Sequence, residues 1–164
     1  KVIAEIHYAN GTVENITLSN VSGTNFYINT TPLNFPVGTH TIVIYANDTS
    51  GNLNNTENVT FTVVDNEPPT VVINTPQNTS YNVGTVPQIN TTVNDDVGVD
   101  TVVAEIHYAN GTVENITLTL QGGNYINTTP LNFPVGTHTI VIYANDTSGN
   151  LNNTENVTFT VVDN

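Results

Sequence analysis

The 164-residue chain has no cysteine, no arginine and a single lysine, Lys1. The first absence excludes a disulfide framework while leaving the compartment open. The shortage of cationic side chains says more. Fourteen Asp and Glu stand against that one lysine, for a net charge of −13. Nucleic acid and anionic membrane surfaces are held through Lys and Arg, so both are excluded as partners, and the balance favours cations. No run is apolar for long enough to span a bilayer, and nothing has the layout of a signal peptide. No window shows the i, i+3, i+4 spacing of an amphipathic helix. What is present is alternation of period two in a chain with 28 Asn and 29 Thr, whose 37% apolar content suffices for a thin core.

Most of the chain occurs twice. Residues 4–18 and 104–118 share the letters AEIHYANGTVENITL, and residues 27–66 match 125–164 through forty consecutive positions. Only Ser19–Phe26 and Thr119–Asn124 differ between the copies, and the second of these is two residues shorter. The offset, 100 residues and then 98, is the length of a domain rather than of a solenoid turn. The expected organisation is a tandem array with domains 1–66 and 67–164, joined by Asp65-Asn66-Glu67 and stiffened by Pro68-Pro69. Residues 67–100 have no counterpart before Lys1. The first domain is therefore expected to lack its N-terminal strands in cis. Either a preceding copy of that segment or a neighbouring molecule would supply them.

Within each copy the alternation marks strands. Ala4, Ile6 and Tyr8 alternate with Glu5 and His7, and Asn10-Gly11 is expected to form a two-residue turn with φ > 0 at both positions. Val13, Ile16 and Leu18 mark the returning strand, and Asn25–Thr31 a short one. After the turn Pro36-Val37-Gly38, His40, Ile42, Ile44 and Ala46 share one face of a longer strand. A polar loop, Asn47–Asn55, leads to a last strand with Val59, Phe61 and Val63 inward. The second domain adds strands at Val71–Asn74 and around Ile89, Thr91 and Val93. About seven short strands per domain indicate a β-sandwich.

The segments PPTVVINTP, NDDVGVDTVVAEIHY and GTHTIVIYANDTSGN resemble the immunoglobulin-like, fibronectin-III-like repeats of microbial (bacterial or archaeal) cell-surface proteins. The resemblance covers the second domain and the matching part of the first. It implies tandem immunoglobulin-like sandwiches, and a role as stalk, spacer or adhesive element. The Asn and Thr density departs from the usual pattern.

Asn-x-Ser/Thr occurs fifteen times, at Asn10, Asn15, Asn20, Asn29, Asn47, Asn54, Asn58, Asn78, Asn90, Asn110, Asn115, Asn127, Asn145, Asn152 and Asn156. Shuffling this composition gives about six such glycosylation acceptors. One reading is a chain selected to carry N-linked glycans outside the cell. The other is that Thr suits strands and Asn suits turns. Asn15, Asn58, Asn90, Asn115 and Asn156 alternate with inward residues, so their side chains are expected to point outward.

Catalytic patterns are scarce. No serine has a G-x-S-x-G setting. His40 and His138 fall on inward strand faces as structural residues, and His7 and His107 lack a second ligand at zinc-like spacing. Glu5 with Glu14, and Glu105 with Glu114, would make a glycosidase-like pair if they met across the hairpin, but no aromatic platform accompanies them. No enzyme is expected. In an immunoglobulin-like sandwich the entering linker lies beside the Asn94–Asp100 and Asn145–Asn153 loops. Asp65, Glu67, Asp95, Asp96 and Asp146, with Asp100 near, are then expected to gather. Either they hold Ca²⁺, which takes six to eight oxygen ligands, and stiffen the linker, or Asp95 and Asp146 brace their loops by accepting backbone N–H bonds.

These features point to a glycan-coated structural repeat of an extracellular stalk, sheath or filament, partnered by copies of itself. The alternatives are an adhesin module for carbohydrate or protein and an accessory domain of a secreted hydrolase.

Overall fold

In the computed structural model, which describes residues 1–163, the chain divides into two compact units, Lys1–Asp65 and Asn66–Asn164. The last residue of the expected 67–164 domain, Asn164, lies outside the described residues. Both units are all-β, and no helix occurs among the described residues.

The first unit contains β1 (Val2–His7), β2 (Val13–Thr17), β3 (Ser19–Asn20), β4 (Tyr27–Ile28), β5 (Gly38–Asn47), β6 (Leu53–Asn54) and β7 (Asn58–Val63). One sheet runs β2-β1-β5, with β6 and β7 sharing the far edge of β5, and β3 and β4 make a separate ribbon. On β5 His40 is fully buried, while Ile42, Ile44 and Ala46 are half-buried, as are Thr41, Val43 and Tyr45 on the other face. The β1–β2 connection departs from expectation. Among the described residues only glycines have positive φ, so Asn10 does not, while Gly11 has φ +83°. Tyr8 N–H donates to Thr12 O and Gly11 N–H to Tyr8 O, both at 2.9 Å. The loop thus has three residues, with glycine alone in the left-handed position, the other common hairpin solution for this twist.

The second unit contains β8 (Thr70–Thr75), β9 (Ser80–Asn82), β10 (Asn90–Asn94), β11 (Val99–His107), β12 (Val113–Thr117), β13 (Thr119–Gln121), β14 (Asn124–Ile126), β15 (Gly136–Asp146), β16 (Leu151–Asn152) and β17 (Asn156–Val162). They form a sandwich of two sheets, β13-β14-β10-β8 and β12-β11-β15-β17-β9, with β16 on β15. β9 pairs parallel with β17, which period-two reading missed because Ser-Tyr-Asn shows no apolar alternation. Between the sheets lie Val71, Ile89, Val93, Val102, Ile106, Ile140, Ile142, Phe159 and Val161. Each such side chain contributes roughly 1.5–3 kcal/mol by leaving water. β15 runs through Asp146, so the expected polar loop begins later and is itself broken by β16.

The outer face of β15 and β17 is a threonine ladder, in which Thr139 and Thr158 hydroxyls meet at 2.9 Å and Thr137 and Thr160 at 3.4 Å. Such cross-strand pairs fix register without apolar burial, which suits a surface facing water.

Candidate functional site

The histidines are structural. His138 is fully buried; its Nε2–H donates to Pro134 O at 2.7 Å, and its Nδ1 accepts Ala109 N–H at 3.3 Å. Since a carbonyl only accepts, this fixes the neutral tautomer with the proton on Nε2. The ring stacks on Phe159 at 5.5 Å and meets Phe133 edge-on at 5.2 Å. His40 repeats the arrangement with Pro36 O and Ala9 N–H. His7 and His107 lie on the outer face and each meets the glutamate two residues back, Glu5 or Glu105, at 2.8 Å.

The carboxylate pairing across the hairpin does not form. Glu105 stands opposite Asn115, and Glu114 opposite Ile106, so the two glutamates occupy opposite faces. Glu5 and Glu14 are separated in the same way by Asn15 and Ile6. Glu114 accepts the Tyr108 hydroxyl at 2.7 Å instead. Burial, that bond and the glutamate charge together push the Tyr108 pKa up to about 12.

Among the acidic residues, Asp146 and Asp95 act on their own loops. Asp146 is 2% exposed; its Oδ1 accepts Ser148 N–H at 2.9 Å and Asn150 N–H at 2.8 Å, and its Oδ2 accepts Asn150 Nδ2–H at 2.7 Å. Burial pushes its carboxyl up, but the Asn150 bonds, joined by Ser148 and Gly149, outweigh burial and hold the pKa below the ordinary carboxylate value. Asp95 Oδ1 accepts Val97 N–H at 2.9 Å and Gly98 N–H at 2.7 Å. The segment entering the unit does approach these loops, since Asn150 Nδ2 donates to Glu67 O at 3.5 Å and Asn152 Nδ2 to Pro69 O at 2.8 Å. Glu67, Thr70, Asn94, Asp95 and Asp96 line one shallow cavity there. Asp65 closes the first unit, and Asp100 is exposed on β11.

The sequons divide by geometry. Asn10, Asn15, Asn20, Asn47, Asn54, Asn58, Asn78, Asn110, Asn115 and Asn156 are exposed. Asn29, Asn90, Asn145 and Asn152 are half-buried, with Asn90 Oδ1 accepting Asn74 Nδ2–H at 2.8 Å. Asn127 stands apart at 2% exposure. Its Oδ1 accepts Ile89 N–H at 2.7 Å and its Nδ2 donates to Thr129 O at 2.6 Å, so a sugar on that nitrogen would have to open the packing that buries the side chain. Four sequons also serve as turn braces. Asn10, Asn54, Asn110 and Asn152 each accept both the N–H and the hydroxyl of the Thr two residues on. Part of the sequon surplus therefore has a folding cause. On the outer face of the second unit, Asn115 and Asn145 flank a shallow shelf formed with Val103, Tyr143 and Leu151.

No family profile and no curated protein matches the chain. Among solved structures, it is similar to a tetra-tandem repeat in the extending region of a large adhesion protein, at 21% identity and a TM-score of 0.55, over 98% of this chain and 41% of that one. The chain thus spans about two fifths of that structure. The fibronectin(III)-like modules of Clostridium thermocellum CbhA align at 18% identity and a TM-score of 0.45, over 98% of this chain and 78% of theirs. The SrpA adhesin of Streptococcus sanguinis aligns at 19% and 0.39, over 61% of this chain and 59% of its own. At such identities the likeness is one of fold: the chain is built as tandem all-β sandwiches of the immunoglobulin-like and fibronectin-III-like repeat type.

Proposed function

We propose that the chain is a structural spacer of an extracellular surface protein, a tandem array whose sandwiches carry N-linked sugars and present no active site. The observation that carries this reading is the identity of the repeated stretches together with the outward placement of their sequons. Interchangeable units suit an extended array, whereas a specialised site would set the copies apart. The resemblance to a repeat in the extending region of a large adhesion protein fits the same role.

Sugars on Asn15, Asn58, Asn115 and Asn156 would cover strand faces that are rich in threonine and asparagine and hold no lysine. That coat would shield those outer faces from neighbouring molecules. Asn115 and Asn145 would each place a first sugar over the Tyr143 and Leu151 shelf. Peptide-level mapping of the protein from its native source tests the reading. Sugar is expected at most exposed sequons and absent from the buried Asn127. Bare peptides throughout, or occupancy of Asn127 equal to that of Asn115, would contradict it.

Calcium belongs to this proposal as a structural ion. Glu67, Asp95 and Asp96 are hard oxygen donors around one cavity, in a unit without lysine or arginine. Calorimetric titration with calcium chloride is expected to give saturable heat that Asp95→Asn with Asp96→Asn abolishes. A flat titration removes the ion from the account.

A further inference from the structure

The first unit leaves open an apolar face that the second unit has covered. Val59 is 53% exposed, and Val157, its counterpart 98 residues later, is 9% exposed. Phe35, Ile42, Ile44 and Phe61 are half-buried where Phe133, Ile140, Ile142 and Phe159 are buried. Residues 27–65 and 125–163 are identical, so the sequence of this stretch does not cause the difference. The cause is the segment that precedes β11.

That segment shows what the face accepts. Val71, Ile89 and Val93 enter the core, and Ile73 and Tyr81 pack against it. It is fastened at two edges. On one, β10 pairs antiparallel with β14, Asn90 opposite Ile126 and Thr91 opposite Tyr125. On the other, β9 pairs parallel with β17, Ser80 opposite Thr160 and Tyr81 opposite Val161. Three bonds mark the junctions: Asn127 Oδ1 accepts Ile89 N–H at 2.7 Å, Asn127 N–H reaches Ile89 O at 3.4 Å, and Thr160 N–H reaches Thr79 O at 3.2 Å. The first unit has the same two edges at Tyr27–Ile28 and Thr62–Val64. There Asn29 Oδ1 turns inward on its own loop and accepts Thr31 N–H at 3.0 Å. An uncovered strand edge beside an apolar face is a template for strand addition, with main-chain bonds giving affinity and alternate side chains giving specificity.

We infer that the open face of the first unit is an acceptor for a β-layer with the sequence of residues 67–100, supplied by another repeat of the same kind. The inference rests on the two burial states of one sequence.

The test adds a synthetic peptide of residues 67–100 to the whole 164-residue chain, followed by calorimetry and by amide exchange. One peptide is expected to bind per chain, with slowed exchange at the Asn29 and Thr62 amides, whose counterparts donate to Ile89 O and Thr79 O. A peptide carrying Ile89→Asp and Val93→Asp is expected to bind at least about tenfold more weakly, because both side chains must leave water. Absence of saturable binding would overturn the inference. So would equal binding of the altered peptide, or a chain that dimerises through this face in sedimentation and is unaffected by the peptide.

Discussion

The Asn127 side-chain oxygen accepts the Ile89 N–H at 2.7 Å, a buried bond between residues 38 apart in sequence. It joins the loop after β14 to the strand that seals the core, inside which Ile89 is fully buried. Asn29, within the same letters, has no such neighbour and bonds Thr31 instead.

Asn127→Ala should therefore destabilise the second unit by about 1–3 kcal/mol, since it leaves a buried N–H without its acceptor. Asn29→Ala removes only a local turn bond and should cost a fraction of that. Denaturant unfolding of the two variants, followed by near-ultraviolet circular dichroism, reads the difference. Equal costs would show that the Ile89 bond contributes nothing.

Gly136 adjoins the loop of the β11–β12 hairpin so closely that a Cβ there would overlap the Ala109 Cβ, and its φ of +134° suits only glycine. Gly136→Ala should cost about 1–3 kcal/mol, as overpacking and backbone strain combine. The check is the midpoint of urea unfolding, which should fall without a large change in slope. Gly111, with nothing within contact of its Cβ position, is the control for φ strain alone.

His138→Ala should cost about 3 kcal/mol or more, because it removes a packed ring and leaves the Pro134 carbonyl and Ala109 N–H without partners. Thermal unfolding measures it. His107→Ala on the outer face should change the midpoint little, since its bond to Glu105 is exposed to solvent.

Alternation made the sheets legible. His40, Ile42, Ile44 and Ala46 lie on one face as their spacing requires, and Ile89, Thr91 and Val93 point inward together. The structural role of His138 was legible too, because a histidine at an inward position of an apolar strand must find main-chain partners. Three things were not. β9 is a three-residue parallel strand held by main-chain bonds, so its side chains carry no period. The hairpin loop at Asn10-Gly11 is set by which residue takes positive φ, and the dipeptide alone permits two loop lengths. The burial of Asn127 depends on Ile89, far away in sequence, and a sequon reads the same whether it faces water or a neighbouring strand.

Acid should loosen the second unit through Asp146. Its folded pKa lies below the ordinary value of about 4, so its stabilising effect is complete above that pH and is lost as the pH falls through the folded value. Thermal midpoints recorded from pH 6 down to pH 2 should therefore decline below about pH 4. Asp146→Asn should lower the midpoint at pH 6 and flatten that decline. An unchanged pH profile in the variant would assign the acid sensitivity to other carboxylates.

The account turns on identical residues being sealed in one unit and open in the other. Differential scanning calorimetry of the whole chain tests this most directly. Two transitions are predicted, the upper belonging to Asn66–Asn164 and moved downward by Gly136→Ala, the lower belonging to Lys1–Asp65 and left in place by that substitution. A single transition containing both units, or a second unit that melts before the first, would contradict it.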